Sequence, residues 1–163
     1  MIRLTPKPLN KAIFRPYGNV IDTSGVTPKN VNQGFAQRFD DLAYVDVAPE
    51  FGSVNVALFT ANPRPMPIAV KLMERHPMGS QIFVPLQDRP WLVLVCDNPL
   101  KPETYQLFAA TGQQGINYAR NIWHHPLLVF DEGSRFLVFD RKGSGNNLEE
   151  VQLPETLQIE VVG

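Results

Sequence analysis

His76, His124 and His125 are the chain's three histidines, and Glu74 stands two residues before the first of them. An imidazole and a carboxylate held together can divide a general base from a general acid near neutral pH. The stretch Ile68 to Pro85 carries one half of that set. Ile68, Val70 and Leu72 fall on one parity of an extended chain, and Lys71 and Arg75 on the other. Strand side chains alternate between faces, so the first set is expected to line a core. If the strand runs on, Glu74 and His76 follow on that same inward parity. Burying either group unpaired is costly, so the pattern points to a use for both. His76-Pro77-Met78-Gly79-Ser80 reads as a turn, and Gln81 then opens the apolar run Ile82-Phe83-Val84, returning toward the same pocket.

The other half lies in Gly115 to Phe130. His124 and His125 are neighbours, so at most one of them is expected to face the pocket that holds Glu74 and His76. Trp123 is core or pocket wall. Arg120 is a solvated charge unless the ligand is an anion, which a guanidinium fork suits.

The elements that must position these residues are short strands. Val54 to Phe59, Trp91 to Cys96, Tyr105 to Ala110, Leu127 to Phe130, Phe136 to Asp140 and Leu157 to Val162 read as strands, and Tyr17 to Asp22 as a turn feeding another. Trp91 to Cys96 is apolar on both parities and is expected to be central and covered on both faces. Gln87 to Pro90 reads as a hairpin-type loop. Asn10 to Arg15 is a short helical turn with Asn10 as its N-cap, ended before Pro16. Thr23 to Asn32 reads as loop, Gln33 to Ala43 as strand or loop, the prolines at 63, 65 and 67 as an extended connector, and 142–147 as a flexible loop. No long helical periodicity and no repeat occur. The fold expected is an all-β antiparallel barrel or sandwich with little helix, formed by a single domain over residues 1–163.

Composition narrows the partners. Fifteen Lys and Arg nearly balance sixteen Asp and Glu, so there is no basic field to recruit nucleic acid or an anionic membrane. No apolar run nears the ~20 residues of a membrane span. The N-terminus lacks the apolar region of a signal peptide. The single cysteine, Cys96, excludes an internal disulfide, fits a reducing compartment, and reads as a buried, inert thiol.

Two spacings resemble those of cupin barrels, whose motifs are H-x-H-x(3,4)-E and P-x-G-x-x-H. Glu74-x-His76-x(4)-Gln81 has the spacing of the first, with Glu for its leading His and Gln for its Glu. Ala119-x-Asn121-x-x-His124 has that of the second, which favours His124 over His125 as the inward residue. More specifically, LMERHPMGSQIFVPL at 72–86, GINYARNIWHHPL at 115–127 and FLVFDRKGSGN at 136–146 resemble the ureidoglycolate lyase family, with weaker echoes at 12–21 and 32–43. Asp40 and Ala119 stand where some members have His.

The resemblance implies a cupin-like double-stranded β-helix, or jelly roll. It also implies a cytoplasmic homodimer that splits ureidoglycolate into glyoxylate and urea in allantoin degradation. On that reading Glu74 or His76 is the base and His124 the acid. Gln81 hydrogen-bonds the urea group, Arg38 or Arg120 binds the carboxylate, and Trp123 is a wall. No metal is obligatory; a loosely held divalent transition metal would use Glu74, His76, Gln81 and His124. Two alternatives share the fold: a non-catalytic small-molecule-binding cupin, and a metal-dependent cupin enzyme acting on another small carboxylate.

Overall fold

The computed structural model describes residues 1–162. Two sheets, antiparallel except where Lys7–Pro8 joins in parallel, face each other across the main core. One runs, in spatial order, Glu149–Gln152, Leu72–Arg75, Trp123–His124, Trp91–Cys96, Tyr105–Ala110 and Lys7–Pro8, with Leu128–Val129 also paired to Trp91–Cys96. The other runs Gly18–Ile21, Gly115–Tyr118, Gln81–Pro85, Ser134–Lys142 and Ser53–Ala61. This is the expected all-β, cupin-like jelly roll. A third, small sheet joins Ile2–Leu4, Ile159–Val161 and Ile68–Ala69, and a two-stranded ribbon joins Lys29–Val31 to Ala36–Arg38. Among the described residues the α-helix is one turn, Lys11–Phe14. Its first turn is capped as expected, with the Ile13 N–H donating to Asn10 Oδ1 at 3.0 Å.

Trp91–Cys96 explains why the molecule has two apolar layers. Its odd residues, Trp91, Val93 and Val95, enter the core between the sheets with Phe83, Phe108, Ile116 and Phe136. Its even residues, Leu92, Leu94 and Cys96, pack on the outside of the larger sheet under Ile159 and Val161. Each face is therefore removed from water, as a strand apolar on both parities requires. Cys96 is free and buried, and burial pushes its thiol up to about 12, so it is inert.

Three expectations need correction. The stretch from Ile68 is not one strand. Ile68–Ala69 belongs to the small sheet, and the larger sheet resumes only at Leu72–Arg75. Ile68 and Val70 pack in the outer layer with Met73, so the apolar row changes parity at the break, and Leu72 is only half-buried. The loop 87–90 is not a hairpin, because Gln81–Pro85 and Trp91–Cys96 lie in different sheets and the loop crosses between them. The span 23–43, read as loop or left ambiguous, contains the ribbon. Gly18 shows one local demand of the fold: at φ 145° it passes so close to the next strand that a Cβ would collide with the Asn117 carbonyl oxygen.

Candidate active site

Register places the chemistry. His124 pairs across the strands with Glu74 on one side and Val95 on the other. Residues directly opposite share a face, and Val95 points into the core between the sheets. Glu74 and His124 therefore enter the barrel together. From the smaller sheet, Gln81 pairs with Tyr118 and faces the same interior. Ser134, Phe136 and Val138 alternate inward along Ser134–Lys142, and Asp140 continues that parity.

His124 Nε2 lies 3.5 Å from Glu74 Oε1, and the His76 and His124 rings are 5.1 Å apart between centroids. The ligand atoms of Glu74, His76 and His124 lie within 4.8 Å of one another. The Tyr118 ring stacks on His124 at 4.1 Å, with 11° between the planes. Burial pushes the Tyr118 hydroxyl well above its ordinary range, so it stays protonated and serves as a fixed aromatic wall.

The second nitrogen of each ring fixes the tautomer. His76 Nδ1 is 2.8 Å from the Asn147 carbonyl oxygen, and His124 Nδ1 is 2.9 Å from that of Ile122. A carbonyl only accepts, so each Nδ1 carries a proton and donates it. Both Nε2 atoms are buried without a hydrogen-bond partner, as is Gln81 Oε1. The cluster thus turns two imidazole Nε2 atoms, a carboxylate and an amide oxygen inward. Such an arrangement accepts hydrogen bonds and protons, and its donor set also fits a divalent transition metal.

Electrostatics separate the groups. Burial, and then electrostatic repulsion from the neighbouring His124 imidazole, depress the His76 pKa below the ordinary imidazole value despite its bond to Asn147. Burial alone would raise the Glu74 carboxyl, but its contact with His124 and the nearby imidazole charges hold it below its usual value. Glu74 is therefore anionic and His76 neutral at pH 7.

The remaining sequence candidates are placed differently. Trp123, one residue from His124, has the opposite parity: it packs against the outer layer, with the Arg75 guanidinium 4.5 Å from its ring centroid. It is not a wall of this cluster. Arg38 is exposed on the ribbon and pairs with Asp40 at 2.6 Å. Arg120 pairs with Asp46 at 3.3 Å and lines a separate cavity of about 240 Å³ with Asn19, Ser80 and Asn117. Its neighbour Asn121 donates its backbone N–H to the His76 carbonyl. His125 is also buried, with Nδ1 donating to the Pro126 carbonyl. Sequence reading missed Tyr118, Asp140 and Asn147. Parity along Phe136–Val138 pointed Asp140 inward, whereas nothing local to Asn147 signals its distant contact with His76.

Comparisons with known proteins show the family. The family model for ureidoglycolate lyase matches residues 1–160. The chain is 48% identical over 158 residues to the ureidoglycolate lyase of Burkholderia mallei (strain NCTC 10229), covering 96% of this chain and 93% of that one. It is 46% identical over 157 residues to ureidoglycolate lyase 1 of Rhizobium meliloti (strain 1021), covering 96% and 92%. Among solved structures, a 3,4-ketoisomerase from Helicobacter canadensis superposes with a TM-score of 0.46 at 13% identity, over 77% of this chain and 84% of that one. Matched along nearly its whole length by the family model and by relatives close to half identical, the chain belongs to the ureidoglycolate lyase family.

Proposed function

We propose that the chain is a lyase that cleaves ureidoglycolate to glyoxylate and urea, acting as a cytoplasmic homodimer, with Glu74, His76 and His124 as its catalytic residues. The observation that carries the assignment of roles is the pair of inward, unpartnered Nε2 atoms beside one carboxylate. In ureidoglycolate one carbon bears a hydroxyl, a carboxylate and the ureido nitrogen. His76, held neutral, takes the hydroxyl proton on Nε2. The oxygen lone pair forms the carbonyl of glyoxylate as the carbon–nitrogen bond breaks, and the bond pair goes to the nitrogen. His124, the acid facing the Glu74 carboxylate, delivers a proton from Nε2 there and releases urea. Solvent then takes the proton from His76 and returns one to His124. Gln81 accepts from the ureido group. Arg120 is the better placed candidate for the substrate carboxylate, because its backbone adjoins the residue that holds His76; binding there requires it to leave Asp46. A divalent transition metal held by Glu74, His76, His124 and Gln81 Oε1 would polarise the substrate oxygen.

The test is glyoxylate release from ureidoglycolate, with allantoate as the control substrate. His76→Ala and His124→Ala are each expected to lower kcat by ~100-fold or more while leaving the fold intact. The acid limb of kcat/KM is expected below pH ~6.5, because the base must be unprotonated and its pKa is depressed from the ordinary imidazole value. Full activity in folded His76→Ala would remove it from the mechanism.

A further inference from the structure

We propose that Asp140 is a positioning residue that fixes which end of the Gln81 amide faces the substrate, and that the Gln81 carbonyl thus presented selects the ureido N–H. The inference rests on the cleavage reading above and adds to it the means of substrate recognition. Gln81 is 6% exposed, and its Oε1 is buried with no hydrogen-bond partner. Its Nε2 donates to Asp140 Oδ2 at 3.3 Å, and the other carboxylate oxygen, Oδ1, accepts from Asn55 Nδ2 at 3.0 Å. A carboxylate only accepts, so Asp140 can hold this amide only by its N–H side. The carbonyl must then point the opposite way. Asn55 pairs in register with Asp140 from the edge strand, which keeps the carboxylate from turning toward the pocket.

The consequence is a recognition surface made of acceptors. Gln81 Oε1 joins the unprotonated His76 Nε2 and the Glu74 carboxylate. A ureido group answers such a surface with several N–H donors. A ligand that offers only carbonyl or carboxylate oxygens would leave Gln81 Oε1 buried and unpaired, which is the costly outcome. Glutamine at 81, rather than glutamate, supplies an acceptor without a second negative charge beside Asp140.

The experiment is steady-state kinetics of the full-length enzyme with ureidoglycolate, using urea and glyoxylate as product inhibitors. In Asp140→Asn the new side chain can donate to Gln81, so the amide is free to turn its NH₂ inward. KM and the urea inhibition constant are expected to rise about tenfold, the scale of one lost hydrogen bond and a mismatched donor, with kcat, glyoxylate inhibition and the acid limb unchanged. Gln81→Leu should weaken urea binding likewise, and the double variant should add less than about twofold, because both changes remove the same contact. Additive losses, equal weakening of both products, or a fall in kcat at unchanged KM would overturn the assignment. Should Asp140→Asn not fold, Asn55→Ala serves instead, with a smaller rise of KM and urea inhibition constant in the same direction; no rise there overturns it too. A parent enzyme that releases no glyoxylate overturns the cleavage reading itself, whereas an active parent with unmoved variants overturns only the role of Asp140.

Discussion

Each histidine of this chain donates Nδ1 to a backbone carbonyl, yet only two of them share the cluster with Glu74. What separates His125 is its surroundings. It is buried, and burial, only partly offset by its bond to Pro126, pushes its pKa down to about 4. Folded protein therefore carries it neutral, while the unfolded chain protonates it near pH 6.5. Between those values the unfolded state binds more protons. Its contribution is fully present above pH 6.5 and is lost as pH falls toward 4, by up to ~3 kcal/mol. His125→Phe, which cannot protonate, is expected to flatten the decline in stability across that window while kcat stays within a few-fold of the parent. Urea denaturation at pH 7 and pH 4.5 measures this; an unchanged difference between the two pH values would show that His125 does not titrate across it. In the proposed mechanism a depressed pKa would suit His76 to act as the base, whereas at His125 it only limits acid stability.

At the scale of elements, the site depends on loops that the strands do not hold. Arg141 has the outward parity of its strand and is 8% exposed, with no carboxylate partner among the described residues. Its Nε and Nη2 donate to the Pro49 carbonyl, and Nη2 also donates to that of Ser144. One guanidinium thus fastens the segment around 47–52 and the loop 143–148. That second loop carries Asn147, whose carbonyl sets the His76 tautomer and whose Oδ1 accepts from the Met78 N–H at 2.7 Å. Arg141→Ala is expected to cost ~1–3 kcal/mol of stability and to speed amide exchange in both loops, with a several-fold fall in kcat. Arg141→Lys should not restore it, since an ammonium lacks the planar fork. Unchanged exchange at 143–148, followed by mass spectrometry, would refute the fastening role. The same elements show what was readable in the chain. Strand existence and the doubly covered Trp91–Cys96 followed from alternation, and the joining of Glu74 and His76 with His124 from motif spacing. The inward parity of Glu74 did not follow from Ile68 and Val70, because the strand breaks at residues 70–71 and those two side chains belong to another layer. Trp123 was misjudged for a related reason: its neighbour's parity, once fixed, excludes it from the same pocket. Contacts made by loops across the sequence, as at Asn147, carry no periodic signal.

At the scale of the molecule, Ser53–Ala61 is an open sheet edge. It pairs with Ser134–Lys142 along one edge, and its other edge has no strand partner among the described residues. Val54, Val56 and Leu58 stand on its outer face at 49%, 60% and 56% exposure, opposite Arg141, Phe139 and Leu137. Phe59, although on the inward parity and edge-on to Phe83, is also 39% exposed at this rim. A nine-residue, apolar, unpaired edge invites pairing with another chain unless it is covered. A second copy covers it most simply: two such edges related by a two-fold axis bury the same residues on both sides. A net charge of −1 sets up no long-range repulsion between copies. A stable pair needs about 800 Å² buried per partner, so the adjoining outer face must contribute with the strand. Light scattering is expected to give twice the 18.3 kDa chain mass at micromolar concentration. Val56→Glu with Leu58→Glu should shift the mass toward the monomer, because two carboxylates per copy would have to be buried at the seam. The Glu74–His76–His124 cluster lies inside the barrel, on the other side of the sheet from these residues, so the separated copies should keep their fold and their His76–His124 geometry. A monomer mass for the parent chain would refute the homodimer; a dimer unmoved by the double substitution would place its interface on another face.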